Sequence, residues 1–119
     1  MERISESEYR FLSILWEDEP IASPKLVKRC NAQLGWKKST TYTVIKKLIG
    51  KGIVKNENTI VSALVSKEEA DKQQGEELLQ RTSKGNVPAF LASFLKDRKL
   101  SRADIDRIRQ MIQEMEEEL

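Results

Sequence analysis

The chain has 119 residues with a formal net charge of +2; 34% of its residues are charged and 6% are aromatic. This length allows one compact domain, or a small domain with an assembly module, and excludes two large cores. One cysteine and no histidine exclude an internal disulfide and leave no ligand set for a transition metal, so no cofactor is expected. No apolar run is long enough to span a membrane, and residues 1–10 do not form a signal segment, so we expect no membrane insertion and a cytoplasmic location.

A first helix is predicted from Ser5, which forms a capping-box pattern with Glu8 three residues on. It should run to about Glu17 and end before Pro20, because proline cannot continue a helix from the preceding turn. Its apolar positions make one stripe that should be buried: Phe11, Leu12, Leu15 and Trp16.

A second helix is predicted to run to about Leu34, with Ser23 as its N-cap and Pro24 at the first helical position. Gly35 should close it as the left-handed residue after the helix. Cys30 falls on its apolar side. A small core residue is favoured over a redox role, because no charged partner or second cysteine stands at a useful spacing.

The stretch from Gly35 to Gly52 predicts a third helix, which is basic, with five lysines and no acid. Its apolar residues recur at helical spacing on one face: Thr41, Val44, Ile45 and Leu48. The opposite face carries small hydroxyls, a phenol and a cation: Ser39, Tyr42, Thr43, Lys46 and Gly50. Such groups can hydrogen-bond base edges and neutralise phosphates in a DNA major groove. Two helices joined by a short turn, the second of them basic, indicate a helix-turn-helix.

The distribution of charge supports this interpretation. Between Pro20 and Asn56 there are nine basic residues and no acidic one. A surface built from this segment carries an uncompensated positive field, which suits double-stranded DNA as a partner. The alternative is a solvated basic face without a partner; the helix pattern and the hairpin that follows favour the DNA interpretation.

Two short β-prone runs follow, at residues 53–57 and 60–65, and Asn58 and Thr59 separate them as a hairpin turn. A helix-turn-helix followed by a hairpin is a winged helix. Lys55 is the only cation near the tip of this hairpin. We therefore expect the wing to make a modest phosphate or minor-groove contact rather than to read bases.

The remaining residues predict three helices, at residues 66–83, from about residue 87, and at residues 101–119. The predicted fold class is mainly α with a small β-hairpin: a winged-helix DNA-binding domain at residues 1–66 and a helical dimerisation region at residues 67–119. The last two helices have broad apolar faces, and the final one has a seam of a/d spacing. The residues predicted to pack on each other and on a second chain, as a homodimer, are Phe90, Leu91, Phe94, Leu95, Ile105, Ile108, Ile112 and Met115. The alternative is that both helices fold back on the N-terminal core.

Three segments carry a resemblance to a known family: SESEYRFLSILW at residues 5–16, WKKSTTYTVIKKL at residues 36–48 followed by KGIV, and FLASFLKDRKLS at residues 90–101. The chain resembles the penicillinase-repressor (BlaI/MecI/CopY) family of winged-helix transcriptional regulators nearly end to end. The resemblance implies a homodimer that represses transcription by occupying an inverted-repeat operator. It also implies derepression through the C-terminal region, with a membrane sensor or protease of the signalling pathway as a further partner.

The resemblance places the recognition-helix contacts at Lys38, Ser39, Thr40, Tyr42, Thr43, Lys46 and Lys47. Of all candidate contacts, those expected to read base edges and thymine methyls are Ser39, Thr40, Tyr42 and Thr43. Those expected to neutralise phosphates are Lys37, Lys38, Lys46, Lys47, Lys51 and Lys55. Many members begin this helix with Trp-Ser-Pro-Lys where this chain has Trp-Lys-Lys-Ser at residues 36–39, a departure that bears on the outer operator positions.

Two branches of the family respond to different signals. The copper-responsive branch carries a C-terminal pair of Cys-x-Cys motifs, which this chain lacks. The β-lactam-responsive branch is cleaved at an Asn-Phe bond in the penultimate helix, and the matching position here is Ser93–Phe94. The resemblance therefore points to Ser93–Phe94 as the cleavage position, with serine as a departure from the pattern.

Other function classes are less well supported by the sequence. No nucleophile with a base, phosphate-binding glycine loop or pair of carboxylates in an apolar setting is present, so we expect no enzyme activity. A winged helix can also serve as a protein-interaction adaptor without sequence-specific DNA binding. The acid-free segment between Pro20 and Asn56 favours the DNA-binding repressor over this alternative.

Overall fold

The computed structural model describes residues 1–119, which form six helices and three short strands. The helices are α1 (Glu6–Asp18), α2 (Ser23–Leu34), α3 (Lys38–Gly50), α4 (Lys67–Ser83), α5 (Val87–Leu95) and α6 (Arg102–Glu117). The strands are β1 (Ile21–Ala22), β2 (Val54–Glu57) and β3 (Ile60–Ala63). None of the helices combines the length and apolar character that crossing a membrane requires. The mainly α fold with a small antiparallel sheet confirms the predicted fold class.

The chain forms two compact units, Met1–Leu78 and Leu79–Leu119. The boundary predicted at residue 66 lies directly before α4, and the first unit extends past it to Leu78. The core of the first unit is apolar and comes from α1, α2, α3 and the sheet. Its largest fully buried side chains are Phe11, Ile4, Leu12, Leu15, Leu26, Leu48, Ile53, Val54 and Val61.

The predicted capping box at the start of α1 is confirmed. The Ser5 N–H donates to Glu8 Oε1 at 2.8 Å, and the Glu8 N–H donates to Ser5 Oγ at 3.3 Å. Glu8 itself is only 4% exposed, which is unusual for a carboxylate. The first turn of α1 therefore carries a buried negative charge that needs a partner.

The start of α2 differs from the prediction by one residue. Ala22, not Ser23, is the N-cap, because residues 21–22 form the strand β1, which pairs with β3, and the Ser23 N–H donates to Thr59 O at 2.8 Å. Ser23 is thus the first helical residue and is 4% exposed. Gly35 ends α2 with φ +70°, as predicted.

The sheet has the strand order β1-β3-β2, and both pairs are antiparallel. Asn58 and Thr59 join β2 to β3 with φ values of +52° and +68°. Left-handed conformation at both central residues is the type I′ geometry, whose twist matches that of the flanking strands. The predicted hairpin and its turn are therefore confirmed.

Both hairpin strands are shorter than predicted, although the Leu64 N–H still donates to Ile53 O at 2.7 Å beyond their ends. The Ile53 N–H donates to Leu48 O at 2.9 Å, and the Gly52 N–H donates to Ile49 O at 3.0 Å. With Gly52 at φ +73°, these two bonds form a Schellman motif that ends α3. At the other strand, Val65 O accepts from Trp16 Nε1 at 3.0 Å, so residue 65 packs on α1 instead of extending β3.

α4 contacts the first four residues, here called the N-terminal arm (Met1–Ile4), through polar side chains. Gln73 Nε2 donates to the carbonyl oxygens of Met1 and Glu2 at 2.9 and 2.8 Å, and Gln74 Nε2 donates to Ile4 O at 3.1 Å. These polar residues of α4 therefore have a structural use within the first unit, where they hold the N-terminal arm.

The second unit contains α5 and α6, which begin at the predicted positions. Asn86 caps α5 by accepting from the Ala89 N–H at 2.9 Å, and Ser101 caps α6 by accepting from the Asp104 N–H at 3.1 Å. Neither helix has a buried residue. The apolar side chains left exposed on these helices are Val87, Leu91, Phe94, Ile108, Met111, Ile112 and Met115.

Candidate nucleic-acid interface

α3 separates its residues into a buried and an exposed face. Thr41, Ile45 and Leu48 are buried in the core, while Val44 is half-buried. Six exposed residues form the α3 outer face, which we define as Ser39, Thr40, Tyr42, Thr43, Lys46 and Lys47. Ile49 and Gly50 are also exposed, at the end of the helix. Lys37 and Lys38, at the N-cap and first position of α3, are also exposed. The structure therefore brings eight of the ten predicted DNA contacts to α3 and its start.

The turn between α2 and α3 is fixed by short-range contacts. The Gly35 N–H donates to Asn31 O at 3.0 Å, and Asn31 Nδ2 donates to Trp36 O at 2.9 Å. The Trp36 ring stacks on the fully buried Phe11 ring, with centroids 6.4 Å apart and an interplanar angle of 5°. These contacts anchor the residue that precedes α3 to the core, and so they set where α3 begins.

Two side chains of the α3 outer face already have hydrogen-bond partners. Thr43 Oγ1 donates to Ser39 O at 2.9 Å, so its methyl group rather than its hydroxyl hydrogen is left for an outside contact. Tyr42 Oη lies 3.4 Å from Ser23 Oγ, which ties the phenol to the start of α2. Tyr42 stays 36% exposed, with Lys38 Nζ 6.0 Å from the centre of its ring. This arrangement presents an aromatic edge and a methyl group between cations.

The basic residues between Pro20 and Asn56 divide into two groups. The first group has acidic partners: Lys25 and Arg29 with Asp18, Arg29 also with Glu17, Lys51 with Glu8, and Lys55 with Glu57. The second group is exposed and makes no ion pair: Lys28, Lys37, Lys38, Lys46 and Lys47. Four of these five belong to α3 or its N-cap, so uncompensated positive charge concentrates on the predicted recognition helix.

Lys28 is a candidate that the sequence patterns did not single out. It is exposed on α2, and it has no acidic partner, unlike its neighbours Lys25 and Arg29. The only sequence feature that pointed to Lys28 as a DNA contact was its place within the acid-free segment between Pro20 and Asn56. Ion pairing with α1, which only the structure reveals, separates it from the other two cations of α2.

The structure does not place Lys51 and Lys55 with the α3 outer face. Lys51 Nζ lies 2.7 Å from Glu8 Oε1 and 2.8 Å from Arg3 O, and its side chain is 29% exposed. Lys55 lies on β2 with Nζ 3.6 Å from Glu57 Oε1, so the single lysine of the wing is partly neutralised. Phosphate contacts by these two lysines stay predictions.

The Glu8 carboxyl has a shifted pKa with a clear cause. Burial raises this pKa, but the hydrogen bonds from Lys51 and Ser5 lower it more, so that the net pKa lies below the ordinary value. A group with a depressed pKa in the folded state adds stability above its unfolded pKa, and that stability is lost as the pH falls through the folded pKa.

We expect Glu8→Gln to lower the free energy of unfolding by about 2 kcal/mol at neutral pH, the scale of hydrogen bonds to a charged group. The difference from wild type should shrink as the pH falls below the ordinary pKa of a glutamate, and it should vanish once Glu8 is protonated in the folded state. Urea unfolding of both proteins at about pH 7 and at successively lower pH would measure it. A difference that stayed constant with pH would contradict this role of the Glu8 charge.

Cys30 lies fully buried in the core, as predicted. Burial raises the pKa of its thiol, and the smaller opposing effects of Thr41 and Arg29 do not reverse this shift. A thiol with a raised pKa is a poor nucleophile at neutral pH. Its environment is that of a packing residue between α2 and α3.

Comparison with known proteins identifies related sequences over most of the chain. The family model described as penicillinase repressor matches residues 4–114. Methicillin resistance regulatory protein MecI of Staphylococcus aureus is 23% identical over 113 residues, which cover 92% of each chain. The penicillinase repressor of Bacillus licheniformis is 22% identical over 116 residues, covering 94% of this chain and 91% of that protein.

Proposed function

Because the chain belongs to the penicillinase repressor family, whose members are DNA-binding transcriptional repressors, we propose that it represses by binding an inverted-repeat operator as a homodimer in the cytoplasm. The observation that carries this proposal is the α3 outer face. Hydroxyl, phenol and methyl groups lie there between lysines that have no acidic partner. A helix of this kind can enter the major groove of B-DNA and contact both bases and backbone.

The two kinds of residue on α3 should contribute differently to binding. Lys37, Lys38, Lys46 and Lys47 supply sequence-independent affinity by releasing counterions from the phosphates, which makes binding strongly salt-dependent. Ser39, Thr40, Tyr42 and Thr43 select the sequence through base edges and thymine methyls. The wing adds little, because its one lysine, Lys55, already has Glu57 as a partner.

The homodimer is supported by the second unit. The predicted interface residues Leu91, Phe94, Ile108, Ile112 and Met115 are between 40% and 68% exposed in a single chain. Contiguous apolar faces of this kind mark interaction sites in water-soluble proteins. A groove of about 400 Å³ along the same face is lined by the less exposed members Leu95 and Ile105. A second copy of α5 and α6 covers these side chains in the proposal, and it places two recognition helices on two half-sites.

Derepression is proposed to act through the same unit. The Ser93–Phe94 bond lies within α5, and the Phe94 side chain is 51% exposed. Its ring stacks on Phe90 with centroids 5.9 Å apart, and the Arg98 guanidinium lies 4.5 Å from the ring centre. Cleavage here by a protease of the signalling pathway would remove α6 from the rest of the chain. Loss of the dimer, and with it of operator binding, would follow.

The deciding experiment compares Tyr42→Ala with Lys46→Ala on an operator fragment, selected from genomic DNA by the purified protein, and on random duplex. We expect Tyr42→Ala to weaken operator binding by about 1–3 kcal/mol per lost base contact while changing random binding little. Lys46→Ala should weaken both by similar factors. Fluorescence anisotropy titrations at fixed salt would measure all four affinities.

A matched control is Lys72→Ala, which removes an exposed lysine of α4 outside the proposed interface. It should leave both affinities within about twofold of wild type, because binding responds mainly to charges that contact phosphates. If Tyr42→Ala weakened operator and random DNA equally, the base-reading assignment of Tyr42 would be wrong. A wild-type chain that bound no duplex at all would instead favour the protein-interaction adaptor.

A further inference from the structure

Lys51 joins three segments of the first unit through one ammonium group. Its Nζ donates to Glu8 Oε1 at 2.7 Å and to Arg3 O at 2.8 Å. Glu8 belongs to the first turn of α1, where its Oε1 also accepts from the Ser5 N–H at 2.8 Å. Arg3 belongs to the N-terminal arm, which Glu77 of α4 holds through an ion pair of 3.4 Å. The end of α3 is therefore tied to α1 and to the N-terminal arm.

Because Lys51 lies at the C-terminal end of α3, this contact affects the orientation of the helix. Lys51 is the C-cap residue, directly after the last turn, which carries Lys47 and follows Lys46. The turn before α3 is already anchored through Trp36 and Phe11, so the start of the helix is fixed separately. With both ends held, the direction of the helix axis relative to α1 is determined.

The surroundings of Lys51 also differ from those of the other lysines of α3. Two of its three N–H donors are used, and its acidic partner has a side chain that is only 5% exposed. Lys46 and Lys47 are exposed and make no ion pair. A phosphate contact made in place of the Glu8 contact would leave a buried carboxylate without a counter-charge, which is strongly unfavourable.

We propose that Lys51, with Glu8, is a positioning residue that sets the orientation of the recognition helix for base reading and does not contact DNA phosphate. This inference rests on the proposed DNA-binding function. Base contacts need side chains held within hydrogen-bond distance of particular atoms, whereas phosphate contacts by flexible lysines tolerate small displacements. Loosening the end of α3 should therefore reduce sequence discrimination more than general affinity.

The experiment uses Lys51→Met and Glu8→Gln, which remove one charge each while keeping side-chain length, and Lys46→Ala as the phosphate-contact comparison. Affinities for the operator fragment and for random duplex are measured over a series of salt concentrations, at a low temperature where circular dichroism shows every variant folded. We expect Lys51→Met and Glu8→Gln each to weaken operator binding roughly tenfold, the size of about one lost base contact, with the wild-type salt slope. Lys46→Ala should reduce the salt slope by roughly 0.9 per lost phosphate contact, hence about 1.8 for a dimer.

Two further variants separate positioning from other roles. Lys51→Arg keeps the charge and the donors, so it should restore most of the sequence discrimination. In Glu8→Gln/Lys51→Met, the loss of operator affinity should be smaller than the product of the two single losses, because both changes remove the same contact. Random-duplex binding of all four Glu8 and Lys51 variants should stay within about threefold of wild type.

Three results would overturn the inference. A reduced salt slope for Lys51→Met, with unchanged binding by Glu8→Gln, would make Lys51 a phosphate ligand. Lower melting temperatures with unchanged affinities of the folded variants would reduce the pair to a purely stabilising role. A wild-type chain without affinity for any duplex would refute the proposed function itself, and this outcome is visible before any variant is tested.

Discussion

Replacing Ile108 by aspartate should convert the proposed dimer into monomers and lower operator affinity by roughly 10²- to 10⁴-fold, the scale of lost avidity between two linked sites. Ile108 is 40% exposed in the single chain, on the same face as Ile112 and Met115. Aspartate at this position would be solvated in a monomer but would bury an unpaired carboxylate in the dimer. Sedimentation velocity would measure the oligomeric state, and anisotropy titration would measure the affinity.

The control for this prediction is Gln110→Asp, which adds the same charge to α6 on the side opposite the seam. It should sediment as wild type does and should bind the operator normally. The α-helical circular dichroism of both variants should match wild type, since neither position is buried in the single chain. An Ile108→Asp protein that still sedimented as a dimer would remove the α6 seam from the interface.

Phe11→Ala should lower the free energy of unfolding by about 3–5 kcal/mol, because Phe11 is fully buried and its removal leaves a cavity. This loss is a large part of the about 5–15 kcal/mol that holds a typical small domain folded. The ring also stacks on Trp36, which precedes the N-cap of α3, so the cavity should loosen the start of the recognition helix. Urea unfolding followed by tryptophan fluorescence would measure the change in midpoint.

Arg10→Ala provides the comparison within the same helix. Arg10 has a side chain that is 62% exposed, and its only ion pair is with Glu6 one turn earlier. Such an exposed pair contributes about 0.3–0.5 kcal/mol, so the unfolding midpoint should hardly move. Equal effects of Phe11→Ala and Arg10→Ala would mean that the core around Phe11 does not determine the stability of the first unit.

Features with a local physical cause were predicted well from the sequence. Ser5 and Glu8 are three residues apart and bond to each other, so their capping box is visible in any window that contains both. The same holds for Gly52, whose left-handed φ ends α3, and for the hairpin turn. The face of α3 that is buried follows from 3.6-residue periodicity alone. These local rules placed six helices and the hairpin.

Features that depend on distant partners were not predictable. β1 has two residues and no periodicity; it exists because Ile21 pairs with Val61 of β3. The role of Lys51 depends on Glu8, which lies 43 residues away in the sequence. A lysine in a basic helix resembles its neighbours until the fold brings a buried carboxylate to it, which is why sequence reasoning grouped Lys51 with the phosphate contacts.

The second unit shows a different limit of prediction from the sequence. The a/d spacing of α6 selected Ile108, Ile112 and Met115, but strict heptad counting passed over Met111, which is 48% exposed. An exposed apolar face is wider than a two-position seam. Periodicity therefore indicated that α5 and α6 have an apolar side. It did not indicate which surface packs on that side, because that surface lies outside the single chain.

The contacts between α4 and the N-terminal arm have a consequence for divergence among related sequences. Gln73 bonds the carbonyl oxygens of Met1 and Glu2, groups that every amino acid supplies. The contact therefore does not depend on which side chains occupy these two positions. The contact does require the side-chain amide of residue 73. We therefore expect related sequences to keep a hydrogen-bond donor at this position, even where residues 1 and 2 differ.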